Sequence, residues 1–262
     1  MHSRGLLPSL KKLAQSRKKT IILSDGTDPR SIQAAKILSD EQIASSILLG
    51  SKAVIEKTAK ELGVSFSEIT IIDPEHSTER AAYTEQFFEL RKEKLSSKNE
   101  AVERLLEPLF FGAMMVRNGI AHGGVAGSLS TTGDVLRAGL QCLGLAPGMS
   151  VASSFFLIVF PDRDFAFADC AVVPDPTPEQ LADIAVVTAA NYKILTGSEP
   201  RVAMLSFSTK GSAKHPFTEK VIAATALAKM KNPRLILDGE LQLDAAIVPK
   251  VAESKAPGSP VE

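Results

Sequence analysis

The chain of 262 residues is short of several things that would mark a function. It has two cysteines, Cys142 and Cys170, which form no metal-ligand spacing. Both stand in apolar runs, where a buried free thiol is the expected state, and no metal site is expected. There is no net charge, with 30 Lys plus Arg against 30 Asp plus Glu. No overall field therefore favours nucleic acid or an anionic membrane, and any basic character must be local to a site. No apolar run is long enough to cross a bilayer: Val151 to Phe160 is too short, and Asp162, Arg163 and Asp164 follow at once. Residues 1–19 are basic without the sustained apolar stretch of a signal peptide, so the expected location is cytoplasmic. The G-x-G-x-x-G of dinucleotide sites and the G-x-x-x-x-G-K-[ST] of P-loops are both missing.

What remains is ordinary globular composition, 44% hydrophobic and 23% charged, with ample material for a core and length for one large domain or two smaller ones. Strand-like and helix-like runs alternate at the start. A strand at Thr20 to Leu23 stops at Ser24-Asp25-Gly26. Asp28-Pro29 opens a helix with the cap residue first and proline in the first turn. A strand at Ser46 to Leu49, a helix at Lys52 to Leu62 and a strand at Ile69 to Ile72 complete a βαβαβ order, which implies a parallel sheet. Long helical stretches follow, about Thr78 to Lys94 and Glu103 to Arg117, before a buried strand within Ile120 to Ala126.

Beyond Pro147-Gly148 the character changes. Two strand-like runs, Val151 to Phe160 and Phe165 to Val173, are separated by a four-residue turn and suggest an antiparallel hairpin. Thr177-Pro178 starts a helix to Leu195, and a buried strand at Arg201 to Leu205 leads to a helix from Phe217 to Met230. A strand at Leu235 to Leu237 and a helix from Leu241 to Ala252 close the series. Asp238-Gly239-Glu240 is expected as a turn, with binding of a hydroxyl or a cation by the acidic pair as the alternative. The fold class is α/β, with two domains of mostly parallel sheet, 1–147 and 148–262.

Two stretches have the composition of an anion site. Gly127-Ser128-Leu129-Ser130-Thr131-Thr132-Gly133 leads from a strand into a helix, and Arg137 lies one turn inside it. Glycines allow close backbone approach, hydroxyls donate, and the N–H groups at a helix start face an anion. Side chains on a helix tilt toward its N-terminus, which brings the Arg137 guanidinium within reach of the same ligand. The second copy is Ser206-Phe207-Ser208-Thr209-Lys210-Gly211-Ser212, with Lys210 as the point charge. The alternative for both is a capped loop that binds nothing, with Thr132 as the cap.

These motifs, with Asp238 to Ala246, Lys255-Ala256-Pro257-Gly258-Ser259-Pro260, Asp25 to Arg30 and Leu90-Arg91-Lys92, resemble the phosphate acetyltransferases (phosphotransacetylases) in order along nearly the whole chain. The resemblance implies two α/β domains with the active cleft between them, in a homodimer that reversibly transfers an acetyl group between phosphate and coenzyme A. Coenzyme A is then a substrate, and no cofactor is bound. It also implies that Arg91 and Arg137 bind coenzyme A or line the cleft. Ser128, Ser130, Thr131, Thr132, Ser206, Ser208, Thr209 and Lys210 would then line the substrate site. Family members continue past the Ala-Pro-Gly-Ser-Pro motif with a Ser-Arg pair and an aspartate associated with catalysis. The resemblance therefore places the catalytic residues beyond residue 262 and suggests a truncated chain. A non-catalytic binding or interaction protein of the same family is one rival reading. Phosphate butyryltransferase is a second, and a metal-dependent decarboxylating dehydrogenase a third, for which clustered acidic ligands are lacking.

Overall fold

A computed structural model describes residues 5–65 and 69–261. The chain divides into two compact units, the first covering residues 7–144 and the second residue 145 onward. Among the described residues no helix is long and apolar enough to cross a membrane.

The first unit opens with α1 (Leu6–Arg17) and then follows β1 (Thr20–Leu23), α2 (Pro29–Asp40), β2 (Ser45–Leu49), α3 (Lys52–Glu61) and β3 (Thr70–Ile72). Helices α4 (Arg80–Arg91), α5 (Lys98–Arg104) and α6 (Pro108–Arg117) precede β4 (Gly123–Val125) and α7 (Thr132–Cys142). The four strands make one parallel sheet in the order β3-β2-β1-β4. Side chains alternate across a strand, and the two central strands use both faces. Ile22, Ile47 and Leu49 pack with Phe87, Phe110, Phe111 and Met114 on one side. Leu23 and Leu48 pack with Ile32, Ala35, Ile55 and Ala59 on the other. A parallel sheet buried on both faces explains why these strands read as continuous apolar runs.

The expected buried strand before α7 is corrected: β4 is three residues long, at the sheet edge, with Val125 61% exposed. Its Gly123 and Gly124 bring no side chain to bury.

The second unit contains β5 (Phe155–Val159) and β6 (Asp164–Ala168), an antiparallel hairpin. Then come α8 (Pro178–Thr196), β7 (Arg201–Leu205), α9 (Pro216–Lys231), β8 (Ile236–Leu241), α10 (Leu243–Ile247) and α11 (Pro249–Lys255). Helix α8 is delimited by its own sequence. The Thr177 side chain and Gln180 form a reciprocal capping box, Pro178 takes the first turn, and Gly197 ends the helix at φ 71°. Helices α8 and α9 pack over β7 and β8 through Ala182, Ala185, Met204, Val221, Ala224, Ala228 and Leu237.

Two expectations fail here. Asp238-Gly239-Glu240 is the middle of β8, paired in parallel with β7, and not a turn. The last helix is two helices, because Pro249 has no N–H to continue the first.

Candidate functional site

In the first unit β1 leads through α2 to β2 on one side, while β4 lies on its other side. The loops leaving the C-terminal ends of β1 and β4 therefore diverge, and that switch point is where open α/β sheets place ligands. A cavity of about 290 Å³ lies there, lined among others by Ser24, Asp25, Thr27, Gly50, Ser130 and Asp134.

The β4–α7 loop is held from both sides by the β1–α2 loop. Asp25, 7% exposed, places one carboxylate oxygen, Oδ2, to accept three successive main-chain N–H groups, from Gly127 (2.7 Å), Ser128 (2.8 Å) and Leu129 (3.3 Å). The Ser128 hydroxyl donates to Oδ2 at 3.3 Å and the Ser130 hydroxyl to Oδ1 at 2.6 Å. Burial works to raise the Asp25 pKa, but the Ser130 hydroxyl and the three N–H groups outweigh it, and it lies below the usual carboxylate value. Asp28 caps α2 by accepting the Arg30 N–H at 2.7 Å and pairs with the Arg30 guanidinium at 2.6 Å. That bond to Arg30 is the main reason its pKa falls to about 2. The same Arg30 Nη2 donates to the Ser128 carbonyl at 2.8 Å.

Beyond this clamp the cap of α7 is Thr131, not Thr132. Its Oγ1 accepts the Asp134 N–H (3.2 Å) and donates to Asp134 Oδ2 (2.6 Å). Asp134 Oδ1 in turn pairs with Arg137 Nη1 at 2.9 Å. Thr131, Thr132 and the Arg137 side chain stay exposed. The structure thus brings Thr131, Thr132 and Arg137 together at an accessible helix start. The hydroxyls of Ser128 and Ser130, expected to donate to a ligand, donate instead to Asp25.

Arg91 is elsewhere. It ends α4, its Nε is buried without a hydrogen-bond partner among the described residues, and its charge acts on Cys142 at the last turn of α7. Arg117 donates to the Cys142 carbonyl at that same end (2.9 Å). Burial pushes the Cys142 thiol up to about 12, so it is not a nucleophile. Cys170, expected to be buried, is only half-buried, with its Sγ 3.2 Å from the Ser154 hydroxyl.

The loop after β7 repeats the theme with a different carboxylate. Glu240, 3% exposed, accepts the Gly211 N–H at 2.6 Å and the Ser208 hydroxyl at 3.1 Å. Ser208 and Thr209 are buried, and Thr209 Oγ1 accepts the Gln242 N–H at 2.9 Å. These two hydroxyls, expected to meet a ligand, face the strand that supplies Glu240 and the Gln242 that follows it. Ser206 Oγ accepts the Ser208 N–H at 3.3 Å. Lys210 stands at φ 50°, with its Nζ 2.6 Å from Asp238 Oδ1. Asp238 also accepts the Ser259 hydroxyl at 2.7 Å, which ties this loop to the Ala-Pro-Gly-Ser-Pro segment.

A cavity of about 430 Å³ in the second unit, between β6, α8 and β7, is lined by Phe165, Phe167, Ile184 and Met204 among others, and by no residue of the 206–212 loop. Asp73, Glu75 and His76 bring possible metal-ligand atoms within 4.8 Å of one another. The turn itself accounts for them, since Asp73 accepts the Glu75 N–H and sits 3.3 Å from His76 Nδ1.

Sequence reasoning missed Asp25 as the anion that fills its loop, and gave Glu240 only as a possible partner for a hydroxyl or a cation, which the Ser208 hydroxyl is. The available signal was an acidic residue at the end of, or inside, an apolar strand, where burial of a charge demands donors.

Comparison with known proteins places this geometry. The family described as phosphate acetyl/butaryl transferase matches residues 6–262. The phosphate acetyltransferase of Thermoanaerobacterium thermosaccharolyticum is 47% identical over 98% of this chain and 80% of its own length. That of Clostridium acetobutylicum is 43% identical over 98% and 79%. The crystal structure of a phosphotransacetylase from Streptococcus pyogenes, 39% identical, superposes with a TM-score of 0.93 over 100% of this chain and 79% of the other. The chain belongs to the phosphate acetyl/butaryl transferase family.

Proposed function

We propose that this chain transfers an acetyl group reversibly between acetyl phosphate and coenzyme A. The coenzyme A sulfur, having lost its proton, forms a bond to the acetyl carbonyl carbon, and the bond from that carbon to the phosphate oxygen breaks, releasing inorganic phosphate. The reverse reaction regenerates acetyl phosphate and the thiol. The protein has three tasks: to hold the acyl phosphate, to stabilise charge on the carbonyl oxygen, and to accept the thiol proton.

The observation that carries this reading beyond family membership is the start of α7. Thr131, Thr132 and Arg137 sit exposed at the switch point of the first sheet, at the start of a helix whose preceding loop is held by Asp25. Arg137 offers a planar pair of donors to a phosphate, with Asp134 holding one of its nitrogens in place. In the second unit Lys210 is a separate exposed cation on a loop anchored by Asp238. The same reading takes the protein as a cytoplasmic homodimer. The exposed Phe156, Ile158 and Phe160 along and after β5 support a second copy, and a solution mass twice the 27.9 kDa of the chain would bear it out.

The direct test is formation of acetyl-coenzyme A from acetyl phosphate and coenzyme A by the purified chain, followed by its thioester absorbance. Arg137→Ala is expected to weaken acetyl phosphate binding about tenfold or more, the worth of one charge-assisted bond, as read by calorimetry. Unchanged affinity would remove Arg137 from the site.

A further inference from the structure

We propose that Asp25 is the positioning residue of the α7 site, an internal anion that occupies the nest of the β4–α7 loop and so fixes Thr131 and Arg137 toward the acyl phosphate. The inference rests on the acetyltransferase reading and says how that site is held together.

Three consecutive N–H groups converging on one point make a concavity that ordinarily takes an anion from solution. Here Gly127, Ser128 and Leu129 converge on Asp25 Oδ2, with Ser130 on Oδ1. The nest is therefore filled by the chain itself. Asp25 is 7% exposed. The nearest arginine along the chain, Arg30, spends its bonds on Asp28 and the Ser128 carbonyl. Every hydrogen bond given to the Asp25 carboxylate among the described residues comes from this loop. A buried charge is costly unless such donors surround it.

Gly127 and Leu129 are exposed residues, yet their N–H groups turn inward to Asp25 Oδ2. What the bonds do is set where the loop ends. Directly after Ser130 comes Thr131, whose Oγ1 is bonded to Asp134, and Asp134 to Arg137. Displacing Ser130 would carry the whole chain of contacts with it. Because the nest already holds a carboxylate, a ligand anion is left to the outward groups, Thr131, Thr132 and Arg137. Asp25 itself does not touch the ligand.

The test compares Asp25→Ala and Asp25→Asn with the unaltered protein. Asp25→Ala vacates a space the size of a carboxyl group. It is expected to raise KM for acetyl phosphate about tenfold while kcat changes less than about threefold, as for a misplaced binding loop. Formate at about 0.1 M is expected to enter the vacated nest and recover part of that KM. It should do nothing for Asp25→Asn, where the amide fills the space. Amide exchange at Gly127, Ser128 and Leu129 is expected to quicken in both variants.

KM within about twofold of the unaltered protein in both variants, or no response of Asp25→Ala to formate, overturns the proposal. So does quickened exchange with KM unchanged, which would leave Asp25 a purely structural group. If Asp25→Ala does not fold, KM and exchange in the isosteric Asp25→Asn decide. If the unaltered protein does not turn over, the acetyltransferase reading fails by itself. Exchange in Asp25→Asn, which needs no substrate, still judges the nest: unchanged protection overturns it, quickened protection upholds it.

Discussion

Gly26→Ala is expected to cost the first unit about 3 kcal/mol or more and to lower its melting temperature by roughly 10 °C. The reason is space. A methyl group on Gly26 would lie 2.4 Å from the Leu49 carbonyl oxygen and 2.7 Å from the Leu49 nitrogen. Both are backbone atoms at the end of β2, and Leu49 is fully buried in the core. No rotamer change relieves such a contact, so either β2 or the loop must move. The Gly26 N–H donates to that same Leu49 carbonyl at 3.1 Å, and movement would break this bond too. Gly63→Ala is the useful comparison. Gly63 has φ +67° with nothing within 4 Å of an added methyl, so its cost is backbone strain alone, about 1 kcal/mol. Thermal denaturation followed by circular dichroism separates the two, and equal losses would show that crowding at Leu49 is not the cause.

Asp169→Ala is expected to destabilise the second unit by about 3 kcal/mol. Asp169 follows β6 and reaches across to the start of β5, where it accepts the Ser154 N–H (2.6 Å) and hydroxyl (2.8 Å). Its other oxygen takes three N–H groups in succession, from Ala171, Val172 and Val173, at 3.1, 2.8 and 2.9 Å. Removing the carboxylate breaks five hydrogen bonds and unties both ends of the hairpin. Burial works to raise the Asp169 pKa, but the N–H groups of Val173, Ser154 and Val172 outweigh it and bring it to about 2.

The pH dependence follows in sign. Between about 2 and the unfolded value of 3.8 the unfolded chain binds the proton and the folded chain does not, so stability rises with pH. The contribution is fully present above that window and is lost as pH falls through it. Denaturant midpoints from pH 5 to pH 2, about the range of that titration, should show a shallower acid decline in Asp169→Asn than in the unaltered protein. Equal slopes would mean that the carboxylate is not held ionised by these donors. Asp25 and Asp28 titrate low for the same kind of reason, so the difference between the two proteins, rather than either curve, isolates Asp169.

Much of this fold is legible in the chain because its signals are local. Asp28-Pro29 and Thr177-Pro178 are helix starts with their own cap and proline, and both are used. The apolar runs Thr20–Leu23 and Arg201–Leu205 are strands at those bounds. The failures have a common cause: side chains whose surroundings are decided by residues distant in sequence. Asp238 and Glu240 look like turn residues until Lys210, Ser259, Ser208 and Gly211 are brought to them; with those partners a strand tolerates both.

Ser128 and Ser130 suit an anion site by composition, but which anion they serve depends on Asp25, more than 100 residues earlier. Ser208 and Thr209 turn inward for the same reason. The choice between Thr131 and Thr132 as cap is a matter of one residue, and helix ends are the least determined part of such a pattern. Arg91 and Arg137 share a chemistry that suits one ligand, yet nothing in their spacing reveals that Arg91 ends α4 with a buried Nε while Arg137 lies exposed on α7, paired with Asp134.

The strand order of the first sheet also bears on how the protein is made. β1 pairs with β2 across a short connection, but its other neighbour, β4, is encoded 100 residues later. During synthesis β1, β2 and β3 leave the ribosome with one side of Ile21, Ile22 and Leu23 unpaired, and that edge stays open until Gly123 to Val125 emerge. At a translation rate of about 5–20 residues per second the interval is about 5–20 seconds. The nascent chain then carries an exposed, apolar sheet edge of the kind that chaperones bind and that neighbouring chains can pair with. Closure by β4 delivers Ser128 and Ser130 to Asp25 in the same event, so the edge is sealed and the site is built together.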